Sequence, residues 1–306
     1  MKEGRKMWLS VMGIFLAYAL VFILFEDYDR RFLQAFDEQS DWNLLIFSIV
    51  VLTGLGWFLF RYASKMDERI SRSQLEKENA MRRELTQNIS HELKTPVASI
   101  LGYADTMLEN PDITPDERLH FLQRTKDQAL KLAALIEDIT VLNRIDYGSD
   151  LLPMERLCIS YLVSDIEQET AMKIKEKHMT LRNYLPQDII IHGNESLVYS
   201  IFSNLIDNSL KYAGDGTTIE IRAEKLADEW KFTFSDNGVG IPQEHLPRIF
   251  ERFYRVDKGR SRSMGGTGLG LAIVKNAVMI HGGTIVASSG DKKGLTFTFT
   301  LKINNK

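Results

Sequence analysis

Residues 90–96 read Ser90-His91-Glu92-Leu93-Lys94-Thr95-Pro96. They put an imidazole beside a carboxylate, with a hydroxyl one helical turn later and a proline closing the set. The surrounding apolar residues recur at helical spacing. Successive helical residues are about 100° apart, so His91 lies roughly 200° from Ile89 and from Leu93. Those two, with Leu85 and Val97, form a stripe facing a partner helix, so His91 points outward and shares its face with Thr95. A lone histidine on a helix surface is ordinarily only a solvated side chain. Here Glu92 can orient the ring and accept a proton from one nitrogen, which leaves the other free to attack an electrophile. Pro96 removes a backbone hydrogen bond and costs about 3 kcal/mol inside a helix, which predicts a bend near the imidazole.

Four more clusters follow far downstream, in a fixed order. The first is Asn204-Leu205-Ile206-Asp207-Asn208-Ser209-Leu210-Lys211-Tyr212. On a helix Asn204, Asn208 and Lys211 share one face, while Ile201, Leu205 and Ile206 pack inward. Amide oxygens are hard ligands for Mg²⁺ and an ammonium offsets phosphate charge, so the face suits a Mg²⁺–triphosphate. Taken alone it could equally be a solvated polar face. Next comes Asp236-Asn237-Gly238-Val239-Gly240-Ile241-Pro242, after a strand-like run at 230–235. A carboxylate at a strand end can accept from the exocyclic amine of a base, and Gly238 and Gly240 let backbone approach a ring closely. A plain turn is the competing reading.

The third cluster is Phe250-Glu251-Arg252-Phe253-Tyr254-Arg255. Its aromatics would pack the base of a lid over roughly 246–267, and Arg252 and Arg255, with Lys258, Arg260 and Arg262, would set positive charge over phosphates. Otherwise it is a basic loop. The fourth is Gly265-Gly266-Thr267-Gly268-Leu269-Gly270-Leu271, glycines that lead into a helix and expose free N–H groups at its positive end. It lacks the lysine of a P-loop, and no βαβ unit of a dinucleotide fold follows it.

The heptapeptide resembles the phospho-acceptor box of the sensor histidine kinases of two-component signalling. The four later motifs resemble the nucleotide boxes of the ATP-binding domain shared by histidine kinases, gyrase, the Hsp90 chaperones and a mismatch-repair ATPase. The resemblance covers about residues 80–303. It implies that His91 takes the γ-phosphoryl of ATP, that Glu92 is base or ring orienter, and that Thr95 positions water for dephosphorylating a partner. It implies that Asp236 reads the adenine amine, Asn208 is the Mg²⁺ ligand with Asn204 assisting, and Lys211 contacts phosphates. Backbone of Gly238, Gly240, Gly266, Gly268 and Gly270 lines the pocket, and Tyr212, Thr267 and Leu269 complete the cofactor-binding set. Hydrolysing members of the superfamily carry a glutamate where this chain has Asn204. Without that base, water attack on ATP is slow and transfer to a positioned imidazole is favoured.

Around these motifs the composition sets bounds. The chain has 306 residues and a net charge of −3, and nothing in it argues for nucleic acid. One cysteine, Cys158, excludes an intramolecular disulfide and a cysteine metal cluster. Residues 8–25 and 42–60 carry no charge, and each is long enough to cross a hydrocarbon core of roughly 30 Å. A pair of buried core helices, or for the first run a cleaved signal peptide, are the alternatives; no small-x-small cleavage site follows. Lys2, Arg5 and Lys6 precede the first run and Arg61 and Lys65 follow the second, while the loop at 26–41 is mostly acidic. That pattern predicts cytoplasmic termini, and the resemblance implies that the membrane is a bacterial inner membrane. The loop is too short to fold as a domain. The stimulus is then expected within the membrane or from a partner membrane protein.

The rest of the pattern must position the chemistry. We expect a membrane anchor at 1–60, a coiled-coil connector at 61–84, a dimerisation and phospho-acceptor domain at 85–146 and an ATP-binding domain at 147–306. One helix is expected over 61–109. Thr114, Pro115 and Glu117 start a second with an N-cap, a first-turn proline and a capping box, and it runs to about Ile145. Leu122, Ala129, Leu132, Ile136 and Ile139 line one face of it. A hairpin cannot bury both its stripes alone, so two copies are expected to form a four-helix bundle; the alternative is docking on the chain's own C-terminal domain. Residues 146–150 read as a hinge. Helical runs at 160–177, 194–213 and 268–281 alternate with strand-like runs at 179–185, 188–192, 217–225, 230–235, 283–289 and 294–302. That order implies a two-layer α/β sandwich with helices on one sheet face.

The expectation is a membrane-bound homodimeric autokinase that phosphorylates His91 and passes the group to an aspartate on the receiver domain of a separate response regulator. No receiver domain follows residue 303, so the acceptor is expected on another chain. A regulator phosphatase using Thr95, and a non-catalytic nucleotide-binding membrane scaffold, are the competing functions. A soluble gyrase-type ATPase is disfavoured by Asn204 and by the two uncharged runs read as spans.

Overall fold

The computed structural model describes residues 38–110, 112–148, 152–257, 266–290 and 294–304. Two compact units divide the chain, Met1–Arg83 and Glu84–Lys306. The first uncharged run, residues 8–25, lies outside the described residues. The second falls on helix α1 (Glu38–Glu109), where the side chains from Ile49 to Phe60 are mostly exposed. Among the described residues no helix is long and apolar enough to cross a membrane.

Helix α1 continues through Pro96. Asn110 closes it by donating its amide to Thr106 O at 2.8 Å. Helix α2 (Pro115–Gly148) starts as its sequence dictates. Thr114 Oγ1 accepts from Glu117 N–H, and the Glu117 carboxylate accepts in return from Thr114 N–H at 3.0 Å and from its hydroxyl at 2.7 Å. These bonds hold the Glu117 carboxyl below its ordinary range. The helix runs to Gly148, so Asp146, Tyr147 and Gly148 are helical where a hinge was expected, and Ser149 and Asp150 lie outside the described residues. Asp146 and Gly148 favour turns, but no proline follows Ile145 and extending a helix already formed is easy.

The α/β part begins with strand β1 (Glu155–Cys158), which the apolar pattern had not revealed because only Leu157 of its four residues is buried. It pairs antiparallel with β3 (Ile190–Gly193). Helix α3 (Ile159–Glu176) leads to β2 (Thr180–Tyr184). Helix α4 (Glu195–Tyr212) is capped by Asn194, whose side chain accepts from Leu197 N–H at 3.1 Å. Strands β4 (Thr218–Lys225) and β5 (Glu229–Asp236), helix α5 (Gly270–Ile280), and strands β6 (Ile285–Ser288) and β7 (Leu295–Lys302) follow. The main sheet has the order β2-β4-β5-β7-β6, parallel only between β2 and β4.

Strands β5 and β7 alternate strictly between buried and half-buried positions, so one sheet face is dry. Phe232 and Phe234 from β5 and Phe297 and Phe299 from β7 are fully buried there, under Ile201, Phe202, Leu205 and Ile206 of α4. Phe202 meets Phe232 and Phe299 edge-on at 5.6 and 5.7 Å, and those two stack at 5.1 Å. Each such ring contributes about 2–3 kcal/mol of burial, plus about 1 kcal/mol from aromatic geometry. This packing fixes α4 against the strand that ends in Asp236. Phe232→Ala is expected to cost about 3–5 kcal/mol. A denaturation midpoint that falls with an unchanged slope would show it.

Candidate functional site

The candidate site has two parts, both within Glu84–Lys306. On α1, His91 is exposed, Glu92 is half-buried and Pro96 is buried. Thr95, also exposed, donates its hydroxyl back to His91 O at 3.3 Å. Leu93 packs on the core.

The second part is a cleft of about 330 Å³ between α4, the end of β5, the start of α5 and one face of α2. Of the sequence candidates, Asn204, Asn208, Lys211, Tyr212, Asp236, Gly240, Arg255, Gly266, Thr267, Gly268 and Gly270 line it. Gly238, Arg252 and Leu269 do not. Gly238 lies against Ala213, leaving no room for a Cβ. Leu269 is wholly buried in the core. Arg252 instead grips Asp146 of α2 through both nitrogens, at 2.7 and 2.8 Å. His91, Glu92 and Thr95 also lie outside the cleft lining. Lys258, Arg260, Arg262 and Gly265 fall outside the described residues.

Asp236 closes β5, paired in register with Ile219 on one side and Leu295 on the other. It is buried, and its carboxylate is held from three sides. Oδ1 accepts from Gly238 N–H at 3.0 Å and from Leu295 N–H at 3.3 Å, while Oδ2 accepts from the Ser209 hydroxyl at 2.9 Å. A carboxylate has about four acceptor sites, so Oδ2 keeps one for a donor in the cleft. Ser209 was missed by sequence reasoning, yet a signal existed. It is a hydroxyl one turn after Leu205 on the buried face of α4, where an apolar residue is the default.

Helix α4 and helix α5 meet at the other end of the cleft. Asn204 donates its amide to Ser200 O at 2.8 Å, and its Oδ1 lies where a side chain on Gly270 would sit. Only glycine permits that approach at the start of α5. Lys211 Nζ is 2.6 Å from Asp207 Oδ2. Gly268 has φ +74°, a left-handed conformation, and its carbonyl accepts from Phe253 N–H at 2.7 Å. Phe253 is itself at φ +61°, a costly conformation for an aromatic residue. The aromatics around it do pack: Phe250 meets Phe297 edge-on at 6.2 Å, and Tyr254 OH bonds His245 Nδ1 at 2.6 Å.

Three polar contacts among the described residues join this lobe to the helical hairpin, beside the apolar packing of Leu135, Val141, Leu142 and Ile145 of α2 into its core. Beyond the Arg252–Asp146 fork, Arg255 Nη2 lies 3.0 Å from Glu92 Oε2 and also donates to Gly266 O. Arg255 is almost wholly buried, and its Nε has no partner among the described residues. Thr267 donates its hydroxyl to Asp138 Oδ2 at 2.7 Å. Burial pushes the Asp138 carboxyl up, against the lowering effects of Thr267 and Lys211. Asp138 and Ala134 thus line the cleft from α2. Nothing in the linear pattern marks them, because each reads as an ordinary helix-surface position.

The donor set fits a magnesium–triphosphate complex. Asn208 offers a neutral amide oxygen, and glycine-loop N–H groups and Lys211 answer phosphate charge. Among the described residues there is no group of three or more His, Cys, Asp and Glu side chains that could hold a metal by itself. A cation here would therefore share its shell with phosphate oxygens and water, as Mg²⁺ usually does.

Residues 193–305 match the family described as histidine kinase-, DNA gyrase B- and HSP90-like ATPase. Residues 81–148 match the His Kinase A (phospho-acceptor) domain. The chain is 36% identical over 233 residues to the sensor histidine kinase WalK of Bacillus subtilis, which spans 74% of this chain and 37% of that protein. It is 32% identical over 281 residues to the sensor protein kinase WalK of Staphylococcus aureus, spanning 90% of this chain and 66% of that one. The chain thus spans about two thirds or less of the length of these curated relatives. In fold it is similar to the histidine kinase ThkA solved in complex with the response regulator protein TrrA, with a TM-score of 0.61 and 18% identity over 74% of this chain and 64% of that one. The chain belongs to the sensor histidine kinases of two-component signalling.

Proposed function

We propose that this chain is a membrane-anchored, homodimeric histidine kinase that moves the γ-phosphoryl of ATP to His91 and from there to an aspartate of a separate response regulator. The observation that carries the proposal is the Arg255–Glu92 pair at 3.0 Å, which ties the His91 turn to the lobe holding the cleft. The remaining acceptor site on Asp236 Oδ2 suits the adenine amine. Asn208, with Asn204 beside it, is the protein ligand for Mg²⁺, which neutralises phosphate charge when bound. Lys211, Arg255 and the N–H groups from Gly266 to Gly270 face the phosphates. The buried, unpartnered Nε of Arg255 is a donor suited to an anionic oxygen.

The chemistry then belongs to α1. One imidazole nitrogen of His91 attacks the γ-phosphorus, the bond to the β-phosphate oxygen breaks, and ADP leaves. Glu92 holds the ring proton on the other nitrogen. His91 does not line the cleft, so the lobe has to shift along the hairpin for the transfer. Thr95, exposed one turn on, is the residue that would orient water for the opposing task, hydrolysing phosphate from the regulator.

Dimerisation follows from what α1 and α2 leave uncovered. Val97, Leu101, Leu108, Leu119, Leu122 and Leu130 are exposed in the single chain, a series that a second hairpin can bury. The membrane anchor rests on the uncharged runs at 8–25 and 42–60. Full-length protein is expected to stay with bacterial membranes after an alkaline carbonate wash, and release into the supernatant would remove the anchor from the proposal.

Incubation of the full chain with γ-labelled ATP is expected to give acid-labile, base-stable label that His91→Gln abolishes. No label under any condition would favour the scaffold reading. Thr95→Ala is expected to leave that label intact while regulator phosphorylation rises severalfold, in line with the usual worth of one positioning group. Dephosphorylation at the unaltered rate would exclude Thr95 from the phosphatase step.

A further inference from the structure

The stem carboxylate at Asp138 sits among groups read above as phosphate ligands. Its Oδ2 accepts from the Thr267 hydroxyl at 2.7 Å, and the same Thr267 oxygen accepts from Leu269 N–H at 3.2 Å. Leu269 immediately precedes α5. Thr267 therefore relays the carboxylate to the Leu269 N–H at the positive end of an eleven-residue helix. Lys211 acts on Asp138 from across the cleft, and Asp207 and Glu137 are the acidic groups that oppose it. Asp138 lines the same cleft as Asn208, Gly266, Gly268 and Gly270.

We propose that Asp138 is an intramolecular stand-in for nucleotide phosphate, a stem carboxylate that holds the glycine loop closed through Thr267 until a triphosphate displaces it. The inference rests on the nucleotide reading of the cleft and adds its regulation. Two anions cannot share one hydroxyl and one helix terminus at low cost, because like charges a few ångströms apart repel strongly in a half-buried site. Phosphate entry thus requires Asp138 to leave Thr267, and its departure loosens the lobe from α2. Nucleotide binding and the release of the lobe toward His91 become one event. The Asp138 carboxyl is pushed up by burial, as expected of an acid kept beside other acids and away from water.

The test measures equilibrium binding of Mg²⁺–ATP and of adenosine to the purified full chain, with Asp138→Asn alongside. The amide variant is expected to bind ATP about threefold to tenfold more tightly, the range for one anion at a helix terminus. Its affinity for adenosine is expected to stay within about twofold, because no phosphate competes. Equal ATP affinity in both proteins would overturn the proposal, as would an equal gain for adenosine, which would signal a merely looser lobe. An unaltered chain that binds neither ligand would overturn the nucleotide reading and this inference together. If Asp138→Asn does not fold by circular dichroism, Asp138→Ala is measured by the same criteria.

Discussion

A buried carboxylate needs its hydrogen bonds before anything else can be arranged around it. Asp236 obtains them from three separate elements: Ser209 on α4, the Gly238 turn that follows its own strand, and Leu295 opening β7. Those bonds fix the distance between α4 and the sheet at the point where the cleft opens. The aromatic stack of Phe202, Phe232 and Phe299 fixes the same distance deeper in the lobe. The first constraint is polar and directional, the second apolar and forgiving in angle. Together they leave one acceptor position on Asp236 facing a cavity whose other wall is the start of α5. Removing the carboxylate would strand two backbone donors in a dry environment, at a cost of about 1–3 kcal/mol each.

The lobe is held to the helical hairpin by apolar packing as well as by ion pairs: Leu135, Val141, Leu142 and Ile145 of α2 are buried in one cluster with the lobe core, and Leu93 of α1 packs on it. The Arg252–Asp146 fork is bidentate but about a third exposed on both sides, so solvent and salt screen it, and such pairs contribute on the order of 1 kcal/mol or less. Arg255–Glu92 is more deeply buried, where desolvation offsets much of the attraction. On the proposed reading, carrying a phosphoryl group from the cleft to the helix means parting this apolar contact along with the two ion pairs.

Much of this was legible in the linear chain, and the failures have physical causes. The capping box at Thr114 and Glu117 was readable because its signal is local: two side chains three residues apart that bond only to each other. The α4 face was readable because a helix repeats, so Asn204, Asn208 and Lys211 had to share a side. The end of α2 was not, because Asp146-Tyr147-Gly148 has turn-like composition but continues a helix already propagated, where adding a residue is easy. Strand β1 escaped because four mostly exposed residues show no alternation, and only their pairing with β3 makes them a strand. The arginines of Phe250–Arg255 were read as facing phosphate alone. Their carboxylate partners, Glu92 and Asp146, lie more than a hundred residues earlier, and no spacing rule spans that separation.

Asn204 shows how one neutral side chain can decide what a shared fold does. Its amide is locked by the bond to Ser200 O, and its oxygen is pressed against Gly270, so it is held in place without room to swing. An amide in that position can assist a cation or a phosphate oxygen, but it has no basic site to take a proton from water. A carboxylate there would have one, and would also add a negative charge near a triphosphate. On the proposed reading the cleft can hold ATP without spending it. The terminal phosphoryl then waits for a nucleophile that brings its own base, and His91 with Glu92 beside it is such a pair. A lobe that can part from the stem and an inert amide in the cleft are therefore two halves of one condition on that reading. The lobe can take time to reach the imidazole because its cargo is not lost to water on the way.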